Sequence, residues 1–177
     1  LNKAIELKPD EYKYYNNRGS LKMNKKDYAG GIADFNQSIL LSPYFTEAYS
    51  NRGLAKSHIG DFVGALEDSN IAIKLNPDSA RFYINRGLLM HSNKDFKSAL
   101  MDFDKALELS PNTAEGFGNR ANTKLRLSDY EGAMTDFSKA IDLNPEMVEN
   151  YYNRGAAREF KYDFEGALSD FCKVISL

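Results

Sequence analysis

The sequence predicts an all-α solenoid of stacked antiparallel helix pairs, and three observations predict it. Shifted by 34 residues, the chain falls onto itself: Asn51-Arg52-Gly53 lands on Asn85-Arg86-Gly87, and Asp61-Phe62 on Asp95-Phe96. All five prolines, Pro9, Pro43, Pro77, Pro111 and Pro145, share one register, an arrangement chance would produce about once in a million. Apolar residues with helical spacing run twice through each copy, once on either side of a short polar turn.

The copy from Ala80 to Thr113 shows each element. Tyr83, Gly87 and Met90 recur at i, i+4, i+7 and predict a first helix, A. Ser92-Asn93-Lys94 is a turn, and Asp95 is placed to cap a second helix, B, which carries Phe96, Ala99/Leu100, Phe103 and Ala106/Leu107. Pro111 ends that helix, and Asn112-Thr113 opens the next. Neither helix can bury its apolar stripe alone, whereas a hairpin stacked on its neighbours can.

Along the chain, residues 1–11 match only the tail of a copy, through Ala4, Ile5 and Pro9. Copies follow at 12–45, 46–79, 80–113 and 114–147, and a last one, 148–177, stops four residues short. One array beginning and ending inside helix B is expected to be a piece of a longer protein. Small residues at Gly19, Gly53, Gly87, Ala121 and Gly155 face Gly31, Ala65, Ala99, Ala133 and Ala167, which lets the helix axes approach. Ala121 adds a methyl where the other copies have Gly and is expected to be tolerated with a small shift. Ser69 replaces the aromatic found as Phe35, Phe103, Phe137 and Phe171, leaving a gap. Met90, standing where the other copies carry Lys22, Lys56, Lys124 and Arg158, is the candidate to fill it.

The pattern resembles the tetratricopeptide-repeat family. The features are the 34-residue period, the aromatic four residues before a Gly, the Asp-aromatic pair opening helix B, the small–aromatic–small series and the Pro. The resemblance covers the whole chain, with repeats of an Asn-Arg-Gly type. It implies a right-handed superhelix whose A helices line a concave groove, and a role in holding other proteins. It does not identify the ligand, because the groove and not the frame sets function.

Composition narrows the classes. A formal net charge of −2 provides no basic field of the kind nucleic acid demands, so no nucleic-acid partner is expected. No apolar run is long enough for membrane insertion. The single cysteine, Cys172, excludes an internal disulfide and reads as a small buried residue of helix B. No nucleophile–base pair, phosphate loop or metal-ligand spacing occurs, so neither an enzyme activity nor a cofactor is expected. His58 and His91 fall on different copies, a poor metal site; both are expected to face the groove as solvated residues.

Two sets of polar residues recur. Arg18, Arg52, Arg86, Arg120 and Arg154 each have a counterpart on helix B, namely Asp34, Asp68, Asp102, Asp136 and Asp170. An antiparallel hairpin places the two at similar heights, and because partner and cation recur together they read as structural ion pairs rather than a cationic row for a ligand. Asn17, Asn51, Asn85, Asn119 and Asn153 form the second set. An amide that both donates and accepts suits an extended peptide backbone, and the row is similar to the asparagine ladder of peptide-binding members of the family. It equally suits bonds that hold neighbouring helices together, so both readings stay open.

Around the row, Leu54, Ile84, Leu88, His91, Asn122 and Tyr152 are candidate groove residues, with Leu54, Ile84 and Leu88 as an apolar middle. Where chaperone-binding members carry a lysine clamp for a terminal carboxylate, this chain has Asn16, Ser50, Ile84, Gly118 and Tyr152. The expected partner is therefore an extended protein segment of another kind, bound by generic backbone contacts and selective pockets. Self-assembly into a homo-oligomer through apolar array ends is the alternative.

Overall fold

The computed structural model describes residues 1–177, all helical, with no strand. A short α1 (Asn2–Leu7) precedes five helix pairs. The A helices are α2 (Tyr12–Asn24), α4 (Thr46–His58), α6 (Ala80–Ser92), α8 (Ala114–Arg126) and α10 (Val148–Phe160). The B helices are α3 (Tyr28–Leu41), α5 (Phe62–Leu75), α7 (Phe96–Leu109), α9 (Tyr130–Leu143) and α11 (Phe164–Ser176).

The helices divide into two compact units, Leu1–Leu89 and Met90–Leu177. In the first, α2 packs on α3 and α4 on α5, while α3 meets α4 across the step to the next pair. In the second, α8 packs on α9 and α10 on α11, with α7 against α8 and α9 against α10. Each unit also brings one A helix onto the next, α2 onto α4 and α8 onto α10, whereas α3 and α5, and likewise α9 and α11, stay apart. Closer spacing among the A helices puts them on the inner side of the bend within each unit.

Local chemistry accounts for the helix starts. Asp27, Asp61, Asp95, Asp129 and Asp163 each accept a hydrogen bond from the backbone N–H three residues on, at 2.9–3.2 Å. Each bond satisfies an amide that the first turn leaves without a helical partner. Thr113 caps α8 in the same way, 3.3 Å from the Gly116 N–H. The A-to-B turn has a second requirement. Its residue 26, 60, 94, 128 or 162 takes a left-handed conformation, with φ of 62° to 82°, and only at Gly60 is that residue a glycine.

Phe35, Phe103 and Phe137 are completely buried. A Cβ at Gly19 would lie 2.7 Å from Phe35 Cε1, and one at Gly155 2.8 Å from Phe171 Cε1, so at these crossings the ring packs on bare backbone. Ala121 is nevertheless accommodated, its methyl fully buried with Ala133 and Phe137 and flanked by Leu125. Ser69 turns its hydroxyl onto Ala65 O at 2.9 Å; Met90 belongs to the other unit. One expectation is corrected: Cys172 is exposed. The residues one, two and three periods earlier, Ser138, Asp104 and Asn70, are polar and mark this as an outward position of helix B; the ring of Phe171 beside it takes the core side.

Candidate functional site

The recurring charges build a network that the pairs alone did not suggest. Arg120 donates through Nε to Asp136 Oδ2 at 2.7 Å and through Nη2 to Oδ1 at 2.6 Å. Arg18–Asp34, Arg52–Asp68 and Arg154–Asp170 repeat the two-pronged grip. Arg86 lies in the first unit, bonded to Asn70 Oδ1 at 2.7 Å, and Asp102 is buried in the second. One turn beyond the arginine, Lys22, Lys56, Lys124 and Arg158 bring a second cation to the same carboxylate, at 2.7–2.9 Å.

The remaining arginine nitrogen, Nη1, crosses to the helix before. Arg18, Arg52, Arg120 and Arg154 reach Asn2, Asn36, Asp104 and Ser138 at 2.7–3.0 Å. Each arginine also lies 5.5–5.9 Å from the ring of Tyr15, Tyr49, Tyr83, Phe117 or Tyr151 on its own helix. Burial alone would raise the pKa of Asp34, but hydrogen bonds from Arg18 and Lys22 outweigh it and hold the carboxyl below its ordinary 3.8.

The asparagine row divides. Asn51 Nδ2 donates to Asn16 Oδ1 at 2.9 Å and Asn85 Nδ2 to Ser50 Oγ at 3.0 Å, each bridging two A helices. Asn153 follows another route, since its counterpart at that site, Gly118, has no side chain; it donates to Asn122 Oδ1 at 3.0 Å. Asn17 is exposed and Asn119 half-buried, and neither side chain bonds to another part of the protein. Among the apolar candidates Ile84 is 7% exposed, Leu54 half-buried, Leu88 37% exposed and Tyr152 57% exposed.

Within the second unit the A helices leave an open hollow of about 480 Å³. His91 closes one side, Asn122, Leu125 and Arg126 come from α8, and Asn153, Ala156, Ala157 and Phe160 from α10. Tyr130 completes it, its ring stacked on Phe160 with centroids 5.1 Å apart and planes inclined by 17°. This stack repeats an arrangement in which the last residue of helix A lies over the first ring of the preceding helix B. His58 stacks on Tyr28 at 4.6 Å, and the Arg126 guanidinium lies 5.6 Å from the Phe96 ring centre.

His91 Nδ1 lies 3.0 Å from Thr123 Oγ1, which is itself 2.9 Å from Asn119 O; when the hydroxyl donates to that carbonyl, the imidazole donates through Nδ1 and keeps Nε2 as an acceptor. Burial first, and then the charge of Arg126, hold the imidazole below its ordinary 6.5. No group of three or more His, Cys, Asp or Glu is placed to hold a metal ion, and no helix is long and apolar enough to cross a membrane.

Sequence reasoning named His91, Asn122 and Asn153 of this hollow as site residues. It did not single out Arg126, Tyr130 or Phe160. Their signal was the aromatic that opens every helix B, taken together with the residue 30 positions later that ends the next helix A.

Comparison with known proteins supplies the family. A profile described as "TPR repeat" matches residues 121–159, and two described as "Tetratricopeptide repeat" match residues 50–114 and 12–45. No curated protein matches the chain. Among solved structures, MamA 41-end from Desulfovibrio magneticus RS-1 is 21% identical, with 95% of each chain covered and a TM-score of 0.84. PilF of Pseudomonas aeruginosa is 15% identical over 95% of this chain and 77% of its own, with a TM-score of 0.89. YrrB, described as a TPR protein with an unusual peptide-binding site, is 20% identical over 99% of this chain and 90% of its own, with a TM-score of 0.74. At such identities the structural likeness speaks for the fold, and the three profiles carry the assignment: the chain belongs to the tetratricopeptide-repeat family.

Proposed function

We propose that this chain is a protein–protein interaction scaffold that binds an extended segment of a partner along the inner faces of its A helices. The observation that carries this reading is the hollow of the second unit, open to solvent and lined by three A helices and a ring stack. An unfilled surface of mixed amide and aromatic character suits a peptide, whose backbone needs donors and acceptors and whose side chains need pockets. The amides of Asn17 and Asn119, unclaimed by the fold, are available for the former. The description of YrrB as carrying a peptide-binding site is in keeping with this reading. The test is a peptide array probed with the native chain, an Ala156→Phe variant that fills the hollow, and an outward-facing Lys139→Ala control. Selective loss of hits in Ala156→Phe is expected, and equal binding by all three would remove the hollow from the account.

A second reading, self-association, is carried by α11, whose Phe164, Leu168 and Ile175 are 62%, 65% and 85% exposed. Light scattering over a concentration series separates the two. A monomer that still captures peptides supports the first, and oligomers that persist without peptide support the second.

A further inference from the structure

Arg126, like Arg81, stands apart from the helix-A arginines that recur from copy to copy. Arg18, Arg52, Arg120, Arg154 and Arg158 each grip a buried aspartate. Arg126 is exposed, makes no ion pair, and is held only by the face of Phe96. The fold does not need its charge: at the same position of other copies His58 and Phe160 make the equivalent ring contact. Contact with a ring face engages the charge of the guanidinium and leaves its N–H groups, which make no hydrogen bond within the protein, free to pair with a carboxylate.

The surroundings complete the chemistry. Arg126 is the one formally charged side chain of the hollow, and no carboxylate lines it. Leu125, Ala156, Ala157 and the Tyr130–Phe160 stack provide apolar and aromatic wall, and Asn122 and Asn153 are already bonded to each other. Past Phe160, the adjoining hollow carries Glu159 and Tyr162, which confines the cationic character to the Arg126 side.

We propose that this hollow selects acidic peptide segments, seating an apolar side chain against Leu125, Ala156 and the ring stack while Arg126 takes a neighbouring carboxylate. The inference rests on the groove-binding reading above and adds the class of segment. Charge complementarity carries it: a lone cation beside an apolar pocket rewards an acid next to an apolar residue and penalises a base there.

The experiment uses the full chain and three sets of short fluorescent peptides, identical except that Glu, Gln or Lys flanks a leucine or phenylalanine. Binding is followed by fluorescence polarisation with wild type, Arg126→Gln and Arg126→Glu. Arg126 makes no ion pair, so both variants are expected to melt like wild type, which circular dichroism checks. The Glu set is expected to bind wild type about tenfold or more tighter than the Lys set. Arg126→Gln should level the sets, Arg126→Glu should reverse their order, and added salt should weaken the Glu set most. If all three sets bind alike and Arg126→Glu changes nothing, the acid preference is overturned while groove binding stands. If no peptide of any charge binds wild type, the groove reading fails and this inference with it.

Discussion

Asn51 Nδ2 lies 2.9 Å from Asn16 Oδ1, an amide-to-amide bond from α4 to α2 whose acceptor side chain is buried. Removing the donor strands a buried oxygen. Asn51→Ala is therefore expected to cost about 1–2 kcal/mol in urea denaturation. Asn119→Ala, which removes an amide with no partner in the protein, should stay within about 0.5 kcal/mol. Equal losses at the two positions would contradict the division of the asparagine row.

Asp136 gathers two bonds from Arg120 and one from Lys124, with its own side chain 3% exposed. Taking away the carboxylate leaves two cations facing each other in a part-buried site. Asp136→Ala should lose about 3 kcal/mol. Lys124→Met keeps the arginine grip, and Met90 fills the matching position of another copy, so a loss of about 1 kcal/mol or less is expected. Thermal melts of both variants check the ranking.

Gly60 has φ of 82° and open space around it, so an added Cβ meets strain but no clash. Gly60→Ala is expected to destabilise by about 1 kcal/mol, whereas Gly60→Asn, a residue that tolerates this conformation, should be close to neutral. A clash-driven effect would instead make the larger asparagine the worse of the two.

Stability should respond to pH through two groups in separate windows. His91 has a folded pKa below its ordinary 6.5, so the unfolded chain takes up this proton first. Its contribution is present above 6.5 and is lost as pH falls from there through the folded pKa. The melting temperature should therefore drop between pH 7.5 and 5.5, and drop less in His91→Gln. Asp34 is likewise depressed, below 3.8, so its contribution is intact above that value and disappears at lower pH. An Asp34→Asn variant should be weaker at neutral pH and lose less on acidification.

Much of this architecture was legible because each hairpin states it again. The Asp caps, the proline stops and the 16-residue spacing from arginine to aspartate are local and recur, so a single antiparallel turn brings them together. Contacts between hairpins were harder to read. What Asn51 meets depends on the residue 35 positions earlier, and a glycine there, as at Gly118, sends Asn153 to a different acceptor. The second cation on each aspartate was masked by Met90, which made the Lys22, Lys56 and Lys124 position look variable. Cys172 was misplaced because its residue type was weighed above its position in the period, where its counterparts are polar. That Arg126 stays unpaired could not be read at all, since a sequence shows a charge but not how far its nearest opposite lies.

The arginine bond to the preceding helix B has an evolutionary consequence. Arg52 finds Asn36, Arg86 finds Asn70, Arg120 finds Asp104 and Arg154 finds Ser138, each acceptor lying one period before the next. Every joint thus uses the same hardware, and a 34-residue cassette copied or excised in register brings its own socket and plug. Gene duplication can lengthen such a protein without inventing a new seam, leaving selection free to edit the few side chains, such as Arg126, that lie outside this bond.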